Sequence, residues 1–323
     1  WERCTDTPPP WSGEVLAEAR RGVHLAHLAC MDTELEAWES EEAKQKLRLI
    51  SEVYEPGLPQ TCRTPGMIWF FAVMLTGNVD RLPAILDANV RTCRATPGME
   101  WELAATLQMR ANLLANRSDW AGDARRDADE SLAIYRRIGD LWGTAEALSA
   151  RGEAHERRGE HRSAAADYEA AIEAAERLGA RAQVGVLSAR LGGALMESDE
   201  AERGERILRE VIRESAGTHN EAMPAARLFL AGRLAMTGRT DEAREQLTLL
   251  REQFKIAYFV IFDAFILGME ACVEAAAGNY ELSLDKAREA LDRAADPLAD
   301  HMAPHMRPLY LALAAIGLAE TGG

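Results

Sequence analysis

Aromatic residues make up only 6% of this sequence, and its five cysteines are odd in number, scattered and never spaced as C-x-x-C. Cys4, Cys30, Cys62, Cys93 and Cys272 therefore exclude a disulfide framework or a zinc ribbon and fit a reducing cytoplasm. Basic residues are outnumbered, 37 Lys and Arg against 52 Asp and Glu, for a formal charge of −15. Such a chain lacks the basic stripe that neutralises phosphates, which argues against direct nucleic-acid contact. No G-x-S-x-G elbow, no G-x-x-x-x-G-K-[ST] phosphate loop and no reactive-cysteine setting occurs. We therefore assign no catalytic residue, no cofactor site and no enzymatic activity. Long apolar runs are missing too. The most apolar stretch, 256–269, "IAYFVIFDAFILGM", is too short to span a bilayer and carries Asp263 at its middle. It reads as a buried helix, and no membrane partner is expected. No signal peptide is visible, and the chain opens on Trp1, which suggests a fragment of something larger. β-branched residues are scarce beside Leu, Ala, Glu and Arg, so the composition is all-helical. At 323 residues the chain is long enough for two domains or one elongated repeat array.

What is present is a beat of about forty residues. Gly152, His155, Gly159, Ala164, Tyr168 and Ala171 recur as Gly192, Leu195, Asp199, Gly204, Leu208 and Val211. They return as Ala231, Leu234, Gly238, Ala243, Leu247 and Leu250, then as Ala271, Glu274, Gly278, Ser283, Ala287 and Ala290. Each offset has a physical reading. Glycine at 159, 238 and 278 takes a left-handed backbone and stops the first helix of a hairpin. The small residue at 164, 204, 243 and 283 lets two antiparallel helices approach closely. Tyr168, Leu208 and Leu247 then fill the space beside the facing helix. Such a hairpin cannot bury its own apolar face, and stacked neighbours supply the core.

This spacing resembles the tetratricopeptide repeat (TPR), with Arg151 and Glu270 standing where that motif favours leucine. The expected fold is all-α, a tetratricopeptide-like array of antiparallel helical hairpins forming a right-handed superhelix. The beat extends backwards through Leu107, Ala111, Leu114, Ala128 and Leu132, and through Trp69, Phe70, Val73, Gly77, Leu82 and Leu86. "TCRTPGMIW" (61–69) is echoed by "TCRATPGMEW" (92–101), whose cysteines we read as small buried residues in equivalent places. We expect a helical cap or lead-in over 1–57, about six hairpins over 58–297, and a C-terminal capping helix over 298–323.

Three histidine pairs have spacings that invite comparison with metal ligands. His155 and His161, in "GEAHERRGEH", are six apart, on nearly opposite helix faces, with Gly159 between them. His301 and His305 straddle Pro304, and His24 and His27 have no carboxylate one turn away on their side. We assign no metal. The remaining candidate is a surface. In the TPR superhelix the first helix of each hairpin lines the concave side, which nominates Glu146, Ser149, Glu153 and Glu156, then Val186, Ala189, Gly193 and Met196. Further along come Ala225, Leu228, Gly232 and Ala235, then Phe265, Gly268 and Cys272. An acidic stretch followed by small and apolar residues suits a peptide with one basic and one apolar end. The stripe Phe254, Tyr258, Phe262, Phe265 and Met269 is explained most simply as packing between the last two hairpins, with a ligand site as the sharper alternative.

Residues 135–179, "YRRIGDLWGTAEALSARGEAHERRGEHRSAAADYEAAIEAAERLG", resemble the C-terminal TPR region of AfsR-type regulators, members of the Streptomyces antibiotic regulatory protein (SARP) family. "AGRLAMTGRTDEAREQL" and "AAAGNYELSLDKAREAL" are similar in character. The resemblance implies a cytoplasmic regulatory domain in control of secondary metabolism. Its partners would be a protein, a peptide or the regulator's other domains, or a small-molecule effector. The DNA-binding and nucleotide-binding domains of such regulators have no counterpart in these residues. The alternative is a free-standing TPR peptide receptor or scaffold.

Overall fold

A computed structural model of the chain describes residues 13–29, 41–76, 78–115, 121–215, 222–253, 260–296, 299–300, 303 and 306–322. The described residues are helical and contain no strand. They fall into two compact units, one within 1–106 and one within 107–323.

In the first unit, α1 (Gly13–Ala29), α2 (Glu41–Ser51), α3 (Thr64–Leu75) and α4 (Leu82–Ala95) are followed by the start of α5 (Glu100–Ala115). Trp69 is fully buried at its centre; its indole donates to the Ser51 carbonyl at 3.0 Å, and Tyr54 meets its ring edge-on. The segment before α3 is pinned to α4 by Asn89, whose Oδ1 accepts from the Gly57 amide (3.0 Å) and the Thr61 hydroxyl (2.7 Å). The backward extension of the beat is altered here. α3 lies against α1 and α2 more than against α4. The bulky, fully buried Leu82 occupies the place where a small residue would let the two helices close. Gly77 lies outside the described residues.

The second unit is the regular one. It continues α5 and adds α6 (Ala121–Ile138), α7 (Leu141–Glu156), α8 (His161–Leu178), α9 (Arg181–Met196), α10 (Ala201–Glu214), α11 (Ala222–Met236), α12 (Thr240–Gln253), α13 (Val260–Ala276), α14 (Tyr280–Arg293) and α15 (Arg307–Thr321). Each odd-numbered helix from α7 to α13 packs on the even-numbered helix that follows it, and each even-numbered helix from α6 to α14 packs on the next odd one. The odd helices α9, α11, α13 and α15 also touch in succession. This is the packing of stacked TPR hairpins.

Sterics explain the repeated offsets. A Cβ at Gly152 would lie 2.7 Å from the Tyr168 ring, and one at Gly192 would lie 2.6 Å from Leu208. One at Gly204 would meet the Gly192 carbonyl oxygen at 2.6 Å. In the last hairpin Ser283 donates to the Ala271 carbonyl at 2.9 Å, so the small position touches backbone directly. Gly159, Gly238 and Gly278 stop their helices at φ of 72°, 75° and 79°. At each stop the following amide returns to a helix carbonyl: Glu160 to His155, Arg239 to Leu234, Asn279 to Glu274. The hairpin α5–α6 is offset from the expected register. Ala124, buried with Leu114 and Ala115, takes the small position, and Ala128 faces Ala111 where the other hairpins carry Tyr168 or Leu208.

Candidate functional site

The departures from the TPR pattern are charge pairs inside the hairpins. Arg151 donates to both oxygens of Asp167, sixteen residues on, at 2.8 and 2.6 Å. Arg110 and Asp127 repeat this between α5 and α6 at 2.6 and 2.8 Å. In the last hairpin the polarity is reversed: Glu270 faces Lys286, also sixteen residues on, at 3.0 Å, and is met by Arg251 from α12. The same two positions in the hairpin α9–α10 are Leu191 and Ile207.

His155 belongs to the same network. It is buried, with Nδ1 2.5 Å from Glu160 and Nε2 3.7 Å from Asp167. Its neighbours are therefore carboxylates already engaged by Arg158 and Arg151. His161 begins α8. No cluster of three metal-ligating side chains occurs among the described residues. His301 and His305 lie outside those residues, as do the side chains of His24 and His27. In the first unit Cys62 and Cys93 share one buried cluster with Met99; Cys4 and Cys30 lie outside the described residues.

The stacked odd helices build a ladder. On each, one side chain overlies the preceding odd helix. Arg190 of α9 pairs with Glu153 of α7. Phe229 of α11 lies on Gly193 of α9, where a Cβ would come within 3.2 Å of its ring. Met269 of α13 lies on Gly232 of α11, with its methyl 3.3 Å from a Cβ built there. Leu313 of α15 packs in one cluster with Ala271, Ala287 and Cys272. The rungs thus change from ionic to apolar along the stack, and the two glycines leave the room that Phe229 and Met269 fill.

The nominated residues divide by burial. Ala189 and Met196 are buried in the apolar core shared by α9 to α13, with Val186 and Leu228 half-buried at its edge. Ser149 is buried, while Phe265 and Cys272 are half-buried. Glu146, Glu153 and Glu156 are half-buried. Gln183 of α9 donates to Glu146 at 2.5 Å, and the Tyr168 hydroxyl donates to Glu156 at 2.7 Å. Burial pushes the Glu146 carboxyl above its ordinary value, outweighing the Gln183 hydrogen bond and the Arg190 charge. Burial does the same to Glu156 against the Tyr168 hydroxyl and Arg157. These two carboxyls are thus ones whose ionisation an arriving cation would favour.

Of the exposed apolar residues on this face, Phe262 belongs to the aromatic stripe read from the sequence, whereas Phe229 and Met236 do not follow from the repeat pattern. Phe229 is 37% exposed, Met236 74% and Phe262 43%. Phe262, Phe265, Met269 and Cys272 follow helical spacing along one side of α13, while Ile266, Leu267, Ala271 and Val273 supply its buried side. The described part of the aromatic stripe therefore lies beside the core rather than within it; Phe254 and Tyr258 lie outside the described residues. A separate cleft of about 500 Å³ sits between the turns at Gly159–Ser163 and Glu197–Asp199. It is bridged by the exposed Arg162–Asp199 pair, and glycine and polar or charged residues line it.

No protein-family model and no curated protein matches the chain. Among solved structures it is similar to YrrB, a TPR protein with an unusual peptide-binding site, at 20% identity over 64% of this chain and 92% of that one, with a TM-score of 0.33. It is also similar to a Rap protein complexed with competence and sporulation factor, at 12% identity over 94% of this chain and 99% of that one, with a TM-score of 0.47. No described helix is long and apolar enough to cross a membrane.

Proposed function

We propose that the chain is a non-catalytic TPR-type regulatory module that binds a peptide or protein segment along the face of α7, α9, α11 and α13. The observation that carries this is the gradient on that face. Glu146 and Glu156, raised by burial, stand on α7, and the exposed Phe229, Met236 and Phe262 stand on α11 and α13. A Lys or Arg near α7 would restore full ionisation of the two carboxyls, while apolar side chains would cover the aromatic end. Glu153 is already neutralised by Arg190 and contributes position rather than affinity.

The likeness of residues 135–179 to AfsR-type regulators supports a place inside a cytoplasmic bacterial transcriptional regulator. The bound segment then comes from a partner protein, a signal peptide or another domain of the regulator, and a small-molecule effector would use the apolar end. The test is to pan a displayed random-peptide library on the chain, with a Met236→Lys/Phe262→Glu variant as counter-selection. Peptides joining Lys or Arg to an apolar cluster are expected to enrich on the wild type. Acidic consensus sequences, or equal enrichment on both proteins, would refute this face.

A further inference from the structure

The first unit contains a thiol pair that helix packing alone does not require. The short helical turn Pro59–Cys62 is tied to the end of α4. Besides accepting from Gly57 and Thr61, Asn89 donates to the Thr61 carbonyl at 3.0 Å, and Thr92 donates to the Gly57 carbonyl at 2.6 Å. This sets Cys62 against α4. Its sulfur lies 3.6 Å from the Asn89 carbonyl oxygen and 3.6 Å from that of Leu58. Asn89 stands one turn before Cys93, and helix side chains lean back toward the N-terminus. The two sulfurs therefore meet over that turn, within hydrogen-bonding reach of each other. Cys62 is 3% exposed and Cys93 4%, with Met99 and Leu103 packed around them. The pair is asymmetric. Contact with Cys62 holds the Cys93 thiol below its ordinary value against its burial, and contact with Cys93 together with burial pushes the Cys62 thiol up. Cys93 is thus the readier nucleophile of the two.

We propose that Cys62 and Cys93 are a peroxide-responsive pair, closing to a reversible disulfide that staples the Pro59–Cys62 turn to α4. In a reducing compartment such a pair stays as two thiols until an oxidant arrives. Burial excludes bulky oxidants, and the class that fits is hydrogen peroxide, a molecule scarcely larger than water. The Cys93 sulfur attacks one peroxide oxygen. An S–O bond forms, the O–O bond breaks, and the departing hydroxide takes the Cys93 thiol proton and leaves as water. The Cys62 sulfur then attacks the sulfenic sulfur of Cys93. The S–S bond forms, the S–O bond breaks, and the second hydroxide leaves as water with the Cys62 proton. The two sulfurs lose the two electrons that the peroxide gains. The new bond closes a loop that contains α3, and a cross-link over a loop of that length favours the folded unit.

Peptide mapping of the peroxide-treated chain tests this. The reduced wild type is exposed to hydrogen peroxide, its remaining thiols are alkylated, and it is cut with trypsin. Cleavage after Arg48, Arg63, Arg91 and Arg94 should give one linked species, 49–63 joined to 92–94, which dithiothreitol releases. Backbone hydrogen exchange over 57–95 should slow on oxidation and recover with the reductant. Cys62→Ala should leave a sulfenic acid on Cys93 that dimedone captures, and Cys272→Ser should leave the link intact. Peroxide that yields no link overturns the proposal, as do links that join Cys62 or Cys93 only to Cys4, Cys30 or Cys272. Unchanged exchange in the linked chain overturns it as well. The mapping uses the wild type, so it decides the matter even where Cys62→Ala fails to fold.

Discussion

Arg151→Leu gives the TPR-preferred residue back to α7, yet it is expected to destabilise the second unit. The Asp167 side chain is 9% exposed and accepts both hydrogen bonds from Arg151, whose own side chain is 24% exposed. With the guanidinium gone, its nearest remaining cation-forming neighbour is His155 Nε2 at 3.7 Å. Breaking a buried pair from one side costs about 3–5 kcal/mol. Water reaches Arg151 partly, so the lower end, about 3 kcal/mol, applies. For a unit of this size that lowers the melting temperature by roughly 6–12 °C. The double variant Arg151→Leu/Asp167→Ile copies Leu191 and Ile207 of the next hairpin, and should return to within about 1 kcal/mol of wild type, because apolar replacement of both partners removes the desolvation cost. Asp167→Ile alone should cost less than Arg151→Leu, since Arg151 keeps Asp129 at 3.0 Å. Urea titration and calorimetry of the four proteins read this directly. A single variant melting within about 2 °C of wild type, or a double variant no better than the single, would show that the pair is not what holds α7 to α8.

At Gly159, φ is 72° and a Cβ would meet nothing within 4 Å, so a substitution costs backbone strain alone. Gly159→Val should lose about 1–2 kcal/mol and Gly159→Asn clearly less; equal melting curves by circular dichroism would contradict the left-handed stop. Glu156 tests the burial argument through pH. Its raised folded-state value means the folded chain holds that proton more tightly than the unfolded one, so its contribution to stability falls as pH rises from the ordinary carboxylate value through the raised one. Glu156→Gln, which can still accept from Tyr168, should therefore gain stability relative to wild type between pH 4 and pH 7, as read by urea midpoints; a pH-independent difference would count against it.

The hairpin register was legible in the sequence wherever backbone comes against a side chain. Gly152 against Tyr168 and Gly192 against Leu208 admit no larger residue, so their spacing survives in the letters. The charge pairs were not legible from one helix at a time. On their own helices Arg151 and Glu270 are departures from the motif; their partners Asp167 and Lys286 face them from the next helix. The α5–α6 register slipped because two alanines, Ala124 and Ala128, sit four apart and composition cannot choose between them. On the candidate face, the first-helix positions were identified but Phe229 and Met236 were passed over. The sequence signal was Gly193 and Gly232, whose missing side chains leave room for a large neighbour from the next odd helix.

That ladder has a thermal and ionic consequence. The rung between α7 and α9 is held by Arg190 and Glu153, whereas the rungs from α9 to α13 are held by Phe229 and Met269 on glycine. Ion pairs weaken as salt rises, and apolar contacts weaken as temperature falls. In a stack where each hairpin touches only its neighbours, the two ends therefore loosen under opposite treatments. High salt frees the acidic end first, and cold frees the aromatic end.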